Sequence, residues 1–199
     1  MATYRIPTDM PGGTILVTEG GVFIFKPTAS NNIRLESASG SLINFSIIFD
    51  DSNPNAFDVE IKEKLSPDIT IADNVDLGGV FFKADKATCD VTLIVGDNVT
   101  NDTWKSGSGN DAIILGDNFV INSTFATNNG DDTITIGENA TGSFDTGGGT
   151  DTVITRDPTA TINNAENRAS ARRNRGRHGG RRRHGARAFR RRHGCQRHR

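Results

Sequence analysis

The chain has little with which to build a soft-metal or nucleophilic site. Its two cysteines, Cys89 and Cys195, are widely separated and make neither a disulfide framework nor a zinc spacing. All four histidines, His178, His184, His193 and His198, fall near the C-terminal end. No Ser–His–Asp or Cys–His set can therefore sit in the rest of the chain, and no catalytic activity is expected. Acid pairs such as Asp50/Asp51 and Asp131/Asp132 are adjacent, so in strand contexts they face opposite ways, a poor start for acid–base chemistry. No apolar run is long enough to span a membrane. The opening MATYRIPTDMPGG lacks the apolar core of a cleavable secretory signal. Helical periodicity is missing too; EIKEKL at 60–65 is too short to count. Hydrophobic residues make up only 34%, against 22 glycines, which suits a thin, turn-rich β architecture.

The net charge of −1 hides a split. Of the 23 Lys and Arg, 14 are arginines from Arg168 onward, a stretch with no acid. Residues 1–167 hold the other nine and all 24 acids, a charge of −15. The body is strongly acidic and the tail strongly basic.

What is present is a series of short β-rich runs: TILV at 14–17, VFIF at 22–25, NIRL at 32–35, LINFSIIF at 42–49, FDVEI at 57–61, DITI at 68–71, VFF at 80–82 and VTLIV at 91–95. Gly, Asn, Asp, Ser and Pro clusters punctuate them. From Trp104 to Thr155 one phrase recurs three times: Trp104-KSGSGN-Asp111-AIIL, Phe125-ATNNGD-Asp132-TITI and Phe144-DTGGGT-Asp151-TVIT. A period near twenty means stacked coils. The expected fold is all-β, a parallel right-handed β-solenoid of about twenty residues per coil. Ile113, Ile134 and Val153 should make one internal ladder, Leu115 and Ile136 another, and Trp104, Phe125 and Phe144 a third column. Phe82-KADKAT-Cys89 reads as a degenerate copy, with Cys89 in the aspartate slot as a small buried hydrophobe and with Val91 and Leu93 matching Ile113 and Leu115.

The expected divisions are an arm over 1–13, a β-rich part over 14–103, glycine-turn coils over 104–156 and a disordered Arg-rich tail over 157–199. Residues 14–103 read either as earlier coils or as a separate β cap. The tail has too little apolar content to order itself. Nucleic-acid binding by the tail is not the favoured reading. Its abrupt change of composition also fits a GC-rich coding stretch read out of frame.

The glycine turns resemble the RTX, or haemolysin-type, calcium-binding repeat G-G-x-G-x-D-x-U-x, where U is a large apolar residue. Gly107, Gly109, Asp111 and Ile113 match its last four fixed positions, after Ser106. Gly147, Gly149, Asp151 and Val153 match them again, after Thr146. Asn128, Gly130, Asp132 and Ile134 match less closely, after Thr127. The resemblance implies that Ca2+ sits between stacked turns, held by carbonyls and one aspartate from each. Calcium takes six to eight oxygens, and glycine lets carbonyls converge on it. Asp132 would border both sites, so its loss should matter most. Only one edge of each coil matches. The opposite edge carries Gly96-Asp97-Asn98, Gly116-Asp117-Asn118 and Gly137-Glu138-Asn139, which read as Asx turns with a stacked Asn ladder.

The resemblance further implies an exported, extracellular protein that folds on meeting calcium, with the type I secretion machinery as a partner. Two other readings stay open. One is a metal-independent structural or adhesive solenoid at the cell surface, with a glycan or protein ligand. The other is a non-catalytic fragment of a larger RTX enzyme. On the first reading Asp111, Asp132 and Asp151 only make turns.

Overall fold

The computed structural model describes residues 2–6, 13–26, 31–53, 55–84, 88–157 and 159–171. Two sheets face each other. The first contains Ala2–Ile6 (β1), Gly21–Phe25 (β3), Ile43–Phe49 (β5), Leu65–Ile71 (β7), Thr92–Val95 (β9), Ala112–Leu115 (β11), Thr133–Ile136 (β13), Thr152–Thr155 (β15) and Asn167–Ser170 (β17). The second contains Gly13–Val17 (β2), Ile33–Ser37 (β4), Phe57–Ile61 (β6), Asp76–Lys83 (β8), Thr100–Lys105 (β10), Val120–Ala126 (β12), Ser143–Asp145 (β14) and Thr161–Asn163 (β16). The chain alternates between sheets, and each strand pairs in parallel with the strand two further on. This is a β-solenoid, and the described residues contain no helix.

Alternation of apolar and polar residues explains the winding. Inward residues of each strand stack on their equivalents one coil away, because no single coil can bury its own apolar face. Leu93, Ile113, Ile134 and Val153 form one file, with steps of 20, 21 and 19 residues. Val95, Leu115 and Ile136 form the next. In the second sheet Phe82, Trp104, Phe125 and Phe144 are in register. Phe82 and Trp104 stack with ring centroids 4.3 Å apart, and Phe125 meets Phe144 at 5.3 Å. All three expected ladders are therefore present.

The corner after the first sheet is an asparagine ladder. Asn98 Nδ2 donates to Asn74 Oδ1 at 2.9 Å, Asn118 to Asn98 at 2.8 Å and Asn139 to Asn118 at 3.1 Å. Each of these asparagines has a left-handed backbone, with φ between 57° and 61°. Asparagine tolerates that region because its short amide bonds locally.

The outer faces differ. On the second sheet Arg34 and Lys62 pair with Glu60, and Lys83 pairs with Asp58. On the first sheet the outward positions of β9, β11, β13 and β15 are Thr92, Ile94, Ala112, Ile114, Thr133, Thr135, Thr152 and Ile154, with no charge. Ile94 and Ile114 there are 46% and 50% exposed.

Several boundaries move. The expected arm contains β1, whose Ile6 is buried and whose Tyr4 stacks on Phe23 at 5.1 Å. Strands β2 to β10 belong to the same two sheets as the glycine-turn coils rather than to a separate cap. The coils also run past 156, because backbone pairing holds the polar strands β16 and β17. In β17, Arg168 takes the inward file after Val153, and its Nη2 donates to Ala160 O at 3.1 Å. All four residues of β17 are exposed, so the apolar file gives way there to a charged residue. The part of the tail over 172–199, with Cys195 and the four histidines, lies outside the described residues.

Candidate metal centre

The opposite edge carries the connections from the second sheet back to the first. The three glycine turns superpose there. Gly130 packs on Gly109, and Gly149 on Gly130, so tightly that a Cβ on either would overlap the carbonyl beneath it. Gly130 and Gly149 also have φ of 132° and 143°, which L side chains rarely adopt. Asn128 fills its glycine slot with φ of 66°, as Gly147 does with 79°.

Tight stacking brings the backbones into contact. Gly130 N–H donates to Gly148 O at 2.9 Å, Gly148 N–H to Asn128 O at 2.6 Å, and Asn129 N–H to Gly107 O at 3.4 Å. Asn128 Nδ2 donates to Ser106 O. A carbonyl has two lone pairs, so each of these oxygens can still accept a second interaction.

The aspartates form a file inside this edge. Asp111, Asp132 and Asp151 are 2%, 1% and 0% exposed. One oxygen of each caps an amide of the previous coil. Val91 N–H donates to Asp111 Oδ1 at 2.9 Å, Asp111 N–H to Asp132 Oδ1 at 2.8 Å, and Asp132 N–H to Asp151 Oδ1 at 2.9 Å. The second oxygen, Oδ2, is buried in all three without a hydrogen-bond partner. A parallel, exposed file runs beside it: Asn110 N–H donates to Asp90 Oδ1, Asp131 N–H to Asn110 Oδ1 and Thr150 N–H to Asp131 Oδ1, each at 2.8 Å.

Buried charge without a partner is unfavourable. Burial pushes the Asp111 carboxyl up to about 7, with the Asp132 charge adding to it. The Ser106 hydroxyl and Val91 N–H pull the other way. Burial likewise raises Asp132, against the Thr127 hydroxyl and the Asp111 N–H. The edge has two ways to relieve the strain: hold protons or hold cations.

Among the described residues no three His, Cys, Asp or Glu side chains converge on one point. The acids are strung one per coil. A hard cation between two coils would meet one carboxylate oxygen from each, with carbonyls and water supplying the rest of its six to eight ligands. The buried, partnerless Oδ2 atoms and the close glycine carbonyls suit such a cation.

Register corrects one reading and adds two features. Leu93, not Val91, pairs with Ile113, so the residue aligned with Asp111 is Val91. The turn after Phe82 is two residues longer than that after Trp104, and Cys89 lies against Gly109 instead, partly exposed. The coil before Asp111 thus has an apolar residue in the acid slot. The leading Ser106, Thr127 and Thr146 are fully buried beside the acids, and Thr127 Oγ1 donates to Thr146 O at 2.9 Å. Beyond Asp151 the file continues with Glu166, whose Oε2 accepts the Asp151 N–H at 2.8 Å. No known protein family, curated protein or solved structure matches this chain.

Proposed function

We propose that the chain is a calcium-binding, calcium-stabilised structural module of an exported protein. One observation carries the reading: three aspartate oxygens, buried in a file without partners, beside glycine turns packed carbonyl to backbone. Ca2+ between coils neutralises like charges held about 4.8 Å apart. Asp111, Asp132 and Asp151 supply carboxylate oxygens. The carbonyls of residues 107, 109, 128, 130, 147 and 149 complete the shells. Extracellular modules of this kind bind calcium at roughly 10⁻⁴–10⁻³ M. At cytosolic calcium the file would stay uncompensated, which suits passage through a type I channel before folding.

The test is thermal unfolding of the full chain, followed by far-UV circular dichroism, in calcium, magnesium and EGTA. Calcium at a hundred times Kd contributes about 2.7 kcal/mol per site. Calcium should raise the melting temperature and magnesium should not, and Asp132→Asn should lose most of the gain. Equal melting in all three solutions overturns the reading.

A second reading has its own support. Every Oδ1 in the file is already satisfied by an amide, with no ion required. The uncharged Thr and Ile face of the first sheet is an available working surface in an otherwise acidic body. This describes a metal-independent adhesive solenoid, for which an ion-independent melting temperature is the expected result.

A further inference from the structure

We infer that the uncharged outer strip of the first sheet is an ice-binding face, whose ligand is the ordered water of a crystal surface. It uses none of the side chains of the acid file and stands with or without the calcium reading. Two outward files run side by side. Thr92, Ala112, Thr133 and Thr152 pair in turn across β9, β11, β13 and β15, and Ile94, Ile114, Thr135 and Ile154 do the same two residues further on. The second file reaches back through Thr70 and Ile48 to Ile24, still without charge. No register shift interrupts β9 to β15, whereas the second sheet shifts within β10. Members of one file therefore repeat about 4.8 Å apart, and the two files lie about 7 Å apart. Oxygen rows on an ice face repeat at spacings close to both. All but Ala112 are β-branched and stiff at χ1, so the array is set before any ligand arrives. Threonine hydroxyls can join a water lattice, and the methyl groups between them fence its waters in place.

The surroundings disfavour other occupants. Exposed Asp90 and Asp131 lie just before β9 and β13, and exposed Asp73 and Asp97 lie just after β7 and β9. The strip thus runs between two acidic rows. A second copy laid on it would set acid against acid, and an anionic partner would be repelled. The strip offers roughly 300 Å², against about 800 Å² per partner in a stable protein interface. No aromatic ring stands on it to stack against a sugar. Ice is neutral and periodic and meets none of these objections. The outer face of the second sheet, with its Arg34–Glu60 and Lys83–Asp58 pairs, lacks the required neutrality.

Partition into ice tests this. The full chain, in calcium so that it is folded on either reading of the acid file, is frozen slowly onto seeded ice. Its concentration is then compared in ice and liquid. The freezing-point gap of a single crystal is measured alongside. The unaltered chain should be enriched in ice and should open a gap. Thr135→Tyr and Ile114→Lys, both on the strip, should lose both effects at an unchanged melting temperature. Ser123→Tyr, exposed on β12 of the other sheet, should keep them. Exclusion of the folded chain from ice, or equal enrichment of all variants, overturns the inference. Retention on crystalline chitin or cellulose without enrichment in ice also overturns it, and gives the strip to a neutral glycan instead.

Discussion

Asp132 accepts the backbone N–H of Asp111 at 2.8 Å and leaves its other carboxylate oxygen buried without a partner. The pair is both a structural joint and an electrostatic burden. The joint needs an oxygen acceptor, which a protonated acid or an amide also provides. The burden exists only while the group is ionised.

The pH dependence without divalent cations follows. Asp111 has its folded value raised from 3.8 to about 7 by burial. The folded state therefore keeps a proton that the unfolded state gives up, and stability falls as pH rises from about 4 to about 7. At about 1.4 kcal/mol per pH unit the loss is on the order of 4 kcal/mol. Denaturant unfolding in EGTA should show it, and Asp111→Asn should remove the part Asp111 carries, leaving the part of the raised Asp132. Stability that instead rises over this range contradicts the buried-charge account.

Phe125 lies between Trp104 and Phe144 and is 1% exposed. Phe125→Ala leaves a cavity between two aromatic neighbours and should cost about 3–5 kcal/mol. Its ring centroid is 6.4 Å from that of Trp104, the sole tryptophan. Tryptophan emission in the folded state should therefore change with the substitution. A cost below about 1 kcal/mol would mean the column is not continuous.

Asn118 donates to Asn98 and accepts from Asn139, at a φ of 58°. Asn118→Gly keeps the backbone accessible but breaks both bonds, at about 0.5–1.5 kcal/mol each. Asn118→Ala adds about 1–2 kcal/mol for the left-handed conformation. Chemical denaturation should rank Ala below Gly below the original residue, with the same spacing in calcium and in EGTA.

The glycine-turn coils were legible because three signals agree in phase there. An aromatic, a glycine turn and an aspartate fix the register before any strand is counted, and Asp132-Thr-Ile-Thr-Ile136 alternates without a break. The asparagine corner was legible for the same reason. Elsewhere the signals part. Earlier coils step by anything from 19 residues, Tyr4 to Phe23, to 26, Ile33 to Val59, so no fixed period emerges. The slot opposite Asp111 is set by pairing of Leu93 with Ile113, and counting seven from Phe82 misses it by two. Glu166 was hidden twice, by a shortened turn and by a longer side chain. β17 was hidden because its inward residues, Arg168 and Ser170, are polar; backbone bonds hold it.

In the coils of Asp111 and Asp132 the two corners are built differently. The asparagine ladder is made of neutral amides that satisfy one another, and beside it Asp73, Asp97 and Asp117 accept amides of the next coil while Arg156 pairs with Asp117. The acid file is made of buried carboxylates, and on the proposed calcium reading it answers to the cation as well as to pH. Those coils are thus joined by amides along one side and by buried carboxylates along the other. On the calcium reading, removing the cation would open the coils from the carboxylate side, across the solenoid before along it.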